Sequence, residues 1–515
     1  MKYPIGIQTF EKIIEGGYVY VDKTDLIYKL VTTGEYYFLS RPRRFGKSLL
    51  TTTLEAYFLG KKELFKGLAI EKLEQDWIEY PVFHLDFTGE SYTNEDAIKS
   101  VINEFLVNKE KIYGADANET TFGLRFQGVI RRAFEMSGKK VVILVDEYDK
   151  PLTDTIGNDV LQEYFRDILQ GLYSVFKKSD RFIKFTFLTG VTCYGKLGIF
   201  SAANNLNDIS MSKKYASICG ITEDELRPNL NEGVVDFAEE EAVSCEKLYS
   251  LLKKKYDGYH FCEKSVDIYN PFSLLNALES KQLRDFWFAT GTPTYLAKIL
   301  KEKAFDLTSL SEEVEVTAES MSSFGSGDSN VIAALYQSGY LTIKGRDADG
   351  IYTLGFPNEE VADGFVKYLA VEFTDKDLDE WDSDMIKLKR MLKNGCVDSF
   401  MSQMQLILSQ IPFESKNEKL IEANFRNMIY LMIRSTGYKV YVEYPVLGGR
   451  IDVFFETDNC AYIIECKRDG SAQSALNQID VKKYAEKISV PEKRIVKIGA
   501  NFSTQDRNVS EWIVG

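Results

Sequence analysis

The run from Tyr36 to Phe58 constrains this chain more than any other. Tyr36-Tyr37-Phe38-Leu39 is a short apolar β-type segment, and Leu49-Leu50-Thr51-Thr52-Thr53-Leu54-Glu55-Ala56-Tyr57-Phe58 is a helical pattern. Between them lies Ser40-Arg41-Pro42-Arg43-Arg44-Phe45-Gly46-Lys47-Ser48. A strand, a tight loop ending in Gly-Lys-Ser and a helix make the layout of a phosphate-binding loop. Free N–H groups and the positive dipole end of the helix N-terminus attract an anion there. Arg44, Phe45, Gly46, Lys47 and Ser48 are the expected nucleotide contacts. Lys47 reaches the β- and γ-phosphates of ATP, and Ser48 places its hydroxyl on Mg²⁺. One position departs from the usual pattern: a glycine is expected five residues before Gly46, and Arg41 stands there. Arg41, Arg43 and Arg44 are therefore expected to crowd the loop with positive charge.

A second element supports the first. Val141-Val142-Ile143-Leu144-Val145 is a continuous apolar, β-branched run, the pattern of a buried parallel strand. Asp146 and Glu147 follow it, where ligands bind in open α/β sheets. Asp146 is expected to hold Mg²⁺, and Glu147 to polarise the attacking water. A third strand runs from Arg181 to Gly190.

At these residues the chain resembles the AAA-ATPase-like family of gut and anaerobic bacteria. The resemblance rests on Tyr18 to Thr24 (YVYVDKT), Phe38 to Ser48 and Val145 to Pro151 (VDEYDKP). Further blocks are Asn204 to Ile209, Tyr256-Asp257-Gly258-Tyr259, Tyr269-Asn270-Pro271-Phe272, and Trp287-Phe288 with Thr290-Gly291-Thr292-Pro293. It covers about residues 3 to 300 and implies a P-loop ATPase core, usually joined to a nuclease-like C-terminal domain. It implies no substrate. Enzymes of this type carry a polar γ-phosphate sensor at the end of the third strand, with Thr189 and Thr192 as candidates here. An arginine finger stays unassigned among Arg44, Arg227, Arg284 and a neighbouring subunit, so a homo-oligomer is one expectation.

Composition bounds the rest. A chain of 515 residues holds two to four domains. It has no apolar stretch of about 20 residues, so no membrane partner is expected. It has no charged-then-apolar leader, so a cytoplasmic location is expected. Seven cysteines, odd in number and without C-x-x-C, read as reduced thiols. Only His84 and His260 occur, which nearly excludes histidine catalysis, and His84 reads as a satisfied strand residue. The net charge of −14 argues against a chain coated for nucleic acid. From Ser415 to Gly515, however, 15 Lys/Arg face 13 Asp/Glu, a local +2 that permits a DNA face.

The expected fold class is α/β: a P-loop NTPase parallel sheet with a helical and winged-helix-like lid, plus a C-terminal α/β restriction-endonuclease-like domain. Residues 1–215 read as the ATPase core and 216–319 as the helical lid. Residues 320–413 read as a winged-helix-like module with connecting helices, and 414–515 as the nuclease-like domain. Ser320 to Asn330 is a Ser/Gly/Asp-rich joint. Strands are expected over Tyr340–Lys344 and Ile351–Phe356.

The last hundred residues hold a second chemical pattern. Arg450 to Glu456 and Ala461 to Lys467 alternate as strands around the turn Thr457-Asp458-Asn459-Cys460. A symmetric turn faces Phe455 to Tyr462 and Asp452 to Glu465, with Lys467 on the same face. Paired carboxylates repel, and a divalent cation between them, Mg²⁺ or Mn²⁺, removes that cost. The Asp-x₁₂-Glu-Cys-Lys spacing resembles the PD-(D/E)xK nuclease superfamily. That resemblance implies metal binding by Asp452 and Glu465, catalysis with Lys467, and support from Gln478 and Tyr484 on the next helix. It also offers Glu422 as an extra acid and Arg494 to Ala500 as the closing strand.

Two functions follow. One is an ATP-dependent nuclease acting on nucleic acid, DNA before RNA, in defence against foreign DNA. The other is a nucleotide-dependent switch whose C-terminal fold binds without cutting.

Overall fold

The computed structural model describes residues 1–193, 205–288, 296–297, 299–300, 303, 305–311, 313–321, 331–374, 376–410, 418–488, 490 and 492–515; residues 311 and 418–424 are described by backbone alone. Asn204, the block Thr290–Pro293, most of the Ser320–Asn330 joint and the Glu422 side chain lie outside the described residues. The chain forms two compact units, Met1–Tyr295 with Glu315–Val361, and Leu296–Val314 with Ala362–Gly515.

The first unit is built on apolar runs that can only be buried. Strands β1 (Tyr36–Ser40), β2 (Val82–Asp86), β3 (Val141–Asp146), β4 (Ile183–Gly190) and β5 (Asn207–Asp208) make one parallel sheet. Their order is β2-β3-β4-β1-β5. All six residues of β3 are buried, as an unbroken Val/Ile/Leu run requires of a central parallel strand. Parallel neighbours need crossovers. These are the amphipathic helices Lys47–Phe58, Glu95–Tyr113, Phe122–Ser137 and Asp159–Lys178. Asn94, Thr121 and Asn158 cap the last three by accepting from backbone N–H groups of the first turn.

Helices Glu223–Glu240, Cys245–Tyr256 and Pro271–Ser280 form the expected helical segment around Leu226, Leu230, Phe237, Leu252 and Leu274. It also contains a short antiparallel pair that was not expected, β6 (Ile221–Thr222) and β7 (Ile268–Tyr269). Strands β8 (Val314–Val316), β9 (Thr342–Arg346) and β10 (Tyr352–Gly355) follow, in the order β8-β10-β9. The β9 strand starts two residues later than expected. Tyr340 and Leu341 donate their N–H groups back to Leu335 and finish the turn off the preceding Val331–Gln337 helix.

The second unit carries a mixed sheet. Strands β11 (Val440–Val446), β12 (Gly449–Glu456), β13 (Cys460–Arg468), β14 (Arg494–Ser503) and β15 (Asn508–Val514) lie in sequence order. Only β13 and β14 run parallel, and helix Ala472–Val481 makes their crossover. Strands β11 and β15 were not anticipated, and β14 is not the closing strand. The edge positions of β11 and β15 explain this: their burial is irregular, so they lack the apolar alternation that betrays β12 and β13.

Candidate active sites

Strand β1 delivers the chain to the C-terminal edge of the first sheet, and the Arg41 N–H still reaches the Gly190 carbonyl of β4 (3.1 Å). The loop then turns through two left-handed residues, Arg44 (φ 71°) and Gly46 (φ 91°). Glycine adopts this conformation freely, whereas Arg44 must be held in it. Gly46 accepts from Leu50 N–H (3.0 Å) as the helix begins. The Lys47 ammonium is buried, 4% exposed, and donates to the carbonyls of Arg41 (3.0 Å) and Pro42 (3.2 Å). Ser48 is half-buried in the first turn.

The expectation that three arginines crowd the loop is wrong for Arg41. Its guanidinium is buried and donates to the carbonyls of Ser40 (2.8 Å), Ser210 (2.8 Å), Tyr215 (3.4 Å) and Ala216 (3.4 Å). The same group stacks over the Phe261 ring at 4.0 Å. Where a glycine would leave the loop root bare, Arg41 bolts it to the chain after β5. Arg43 uses its carbonyl to accept the Trp287 indole N–H (3.2 Å). Arg44 is exposed, over the Phe272 ring. Phe45 is buried edge-on against Tyr259 and Phe261, and its carbonyl accepts from Gly220 N–H (3.2 Å). Beside Gly46 lies a largely apolar cavity of about 100 Å³, lined by Tyr20, Val21, Ile27, Phe45, Leu50 and Ile221 among others.

The acids sit opposite the loop. Asp146 is buried at the end of β3 and accepts the Thr189 hydroxyl from the end of β4. Glu147 has a left-handed backbone (φ 49°), and its N–H points to Thr189 Oγ1 (3.4 Å). Burial raises the Glu147 carboxyl pKa, while the Lys47 charge pulls it back. Lys47, Asp146, Glu147 and Thr189 thus share one neighbourhood. Thr192 does not join them: its hydroxyl (2.5 Å) and N–H (2.6 Å) both go to Asp149. Asp149, absent from the sequence candidates, is buried and raised in pKa by that burial. A Cβ at Gly190 would stand 2.7 Å from its Oδ1. The signal was present as the third acid of Asp-Glu-Tyr-Asp. Arg227 is engaged by Glu223 (2.8 Å) and Glu246 (3.1 Å). His84 Nδ1 pairs with Glu55 (3.0 Å).

The second site is built by register. Val453 pairs with Ile464 and Phe455 with Tyr462, their rings stacked at 4.6 Å, so the next step outward sets Asp452 across from Glu465. Asp452 Oδ2 accepts the Cys466 N–H (2.7 Å). Glu465 also lies beside Gly499 of β14. A Cβ there would come within 2.5 Å of Leu476 N, so the glycine lets the Ala472–Val481 helix settle on the sheet. That helix brings Gln478 over the site. Its Oε1 accepts the Lys467 ammonium, and its Nε2 donates to Glu465 Oε1. The Tyr484 hydroxyl interacts with Gln478 from below. Glu465 is 1% exposed, and its Oε2 has no hydrogen-bond partner among the described residues. Burial first, then the Asp452 charge, lifts its carboxyl to about 7; burial also raises Asp452. An orphaned oxygen among crowded carboxylates suits a hard cation.

Known proteins match both units. An AAA-ATPase-like family model (predicted AAA-ATPase) matches residues 4–200, and a PD-(D/E)xK nuclease superfamily model matches residues 420–512. An uncharacterized protein of the vnfD 5′ region in Azotobacter chroococcum mcd 1 is 34% identical over 530 residues, covering 100% of this chain and 98% of its own length. None of the described helices is long and apolar enough to cross a membrane. The chain therefore belongs to the same family as that Azotobacter protein, with an AAA-ATPase-like domain and a PD-(D/E)xK nuclease superfamily domain in one polypeptide.

Proposed function

We propose that this chain binds and hydrolyses ATP at the 41–48 loop and cuts nucleic acid at the Asp452–Glu465 site, with DNA as the substrate. The loop N–H groups and Lys47 take the phosphates, and the apolar cavity beside Gly46 takes the base. Lys47 exchanges its two carbonyl acceptors for phosphate oxygens. Asp146 and Ser48 hold Mg²⁺, Thr189 orients Asp146, and Glu147 positions the attacking water. In the second unit Asp452 and Glu465 would hold Mg²⁺ or Mn²⁺, which when bound activates water and neutralises phosphate charge. Gln478 holds Lys467 beside Glu465, where its ammonium can meet the scissile phosphate. The observation that carries the nuclease reading is the Glu465 oxygen left without a partner beside Asp452 and Lys467.

The test incubates full-length protein with plasmid DNA or RNA and Mg²⁺ or Mn²⁺, with and without ATP. Cleavage that requires metal and responds to ATP supports the reading. ATP hydrolysis without cleavage under any metal would move it to a nucleotide switch.

A further inference from the structure

A third carboxylate stands in line with the pair. Glu443 lies in β11 between Val442, paired with Val453, and Tyr444, paired with Ile451. The register therefore sets Glu443 across from Asp452, as Asp452 is set across from Glu465. Glu443 is the one residue of β11 with a left-handed backbone (φ 55°). A strand interior has no need of that conformation, and a side chain there is strained. Glu443 is exposed, Asp452 half-buried and Glu465 buried, so the acids run from solvent inward across three strands.

We propose that Glu443 is a third carboxylate for the divalent cation held by Asp452 and Glu465; this rests on the nuclease reading of that pair. Apart from the alignment itself, the buried Glu465 Oε2 without a partner points to a ligand at this place. The Glu443 charge also acts on Asp452, where it adds to the effect of burial. Like charges drawn together on one sheet weaken it unless a cation offsets them. Oxygen-rich sets of this kind suit Mg²⁺ or Mn²⁺.

The test titrates Mn²⁺ into nucleotide-free full-length protein and follows the free-ion signal by electron paramagnetic resonance. Wild type, Glu443→Gln, Glu443→Gly and Asp452→Asn are compared, with thermal melts as a folding check. Glu443→Gln is expected to weaken Mn²⁺ binding about 10–100-fold. Glu443→Gly should do the same while melting no lower than wild type, because glycine relieves the left-handed backbone. If both Glu443 variants bind as wild type and Asp452→Asn does not, the third ligand is refuted and the pair stands. If Asp452→Asn also binds as wild type, both fall.

Discussion

The two sites handle unbalanced charge in opposite ways. At the first, a buried cation is fully occupied: Lys47 donates to two carbonyls of its own loop, and Arg41 to four more. At the second, buried anions are under-supplied: Glu465 keeps an oxygen without a partner, and its carboxyl is lifted to about 7. A cation held by carbonyls is stable while it waits, and an arriving phosphate exchanges one set of acceptors for another. Crowded carboxylates are relieved only by protons, by Lys467 or by a metal ion. The first site is therefore built to persist without ligand, and the second to be completed by one.

The largest effect that could break this contrast is expected at the second site. Asp452→Ala or Lys467→Ala should take cleavage below detection while ATP hydrolysis stays near wild type. A parallel loss of ATPase rate in an assay of released phosphate would show that the two sites do not work separately.

At the first site Glu147→Gln should leave ATP bound but slow hydrolysis by about 10²–10⁴-fold, the usual range for a positioned acid–base group. Single-turnover kinetics separates the two steps. Lys47→Ala should weaken ATP binding roughly 10–150-fold, the equivalent of about 1.5–3 kcal/mol for a hydrogen bond to a charged group. Equilibrium binding of a fluorescent ATP analogue reads it directly. No change would mean that Lys47 stays with its carbonyls when nucleotide binds.

The smallest effect concerns a buried acid behind the loop. Glu360 accepts the Trp287 backbone N–H (2.8 Å), and the Trp287 indole donates to the Arg43 carbonyl. Burial lifts Glu360 to about 7. A carboxyl with a raised folded pKa stabilises the fold fully below its unfolded value of about 4.5 and loses that contribution as pH rises through about 7. Glu360→Gln should therefore flatten the pH dependence of the first unit's urea midpoint between pH 5 and 8. The difference is on the order of 1–3 kcal/mol across that window. Unchanged slopes would assign the titration elsewhere, Asp257 being the other acid held near 7.

Local chemistry wrote much of this into the sequence. Gly-Lys-Ser after an apolar strand, and an apolar run ending in Asp-Glu, can be read because a loop and a strand end need particular residues at short spacing. The hairpin register around Thr457–Cys460 was legible too: period-2 alternation and a four-residue turn leave one alignment that buries Phe455 on Tyr462. What local pattern could not decide was direction over long separations. Arg41 reads as a loop cation, yet its partners are the carbonyls of Ser210, Tyr215 and Ala216, about 170 residues away. Thr189 and Thr192 look alike in sequence, and only the crossing of β3 and β4 sends one to Asp146 and the other to Asp149. Strands β11 and β15 carry little burial pattern of their own, so their places follow from ladder hydrogen bonds to neighbours. Sequence determined which groups could do chemistry here. Tertiary packing decided which of them are satisfied and which still need a partner, because burial removes the water that would otherwise serve them all.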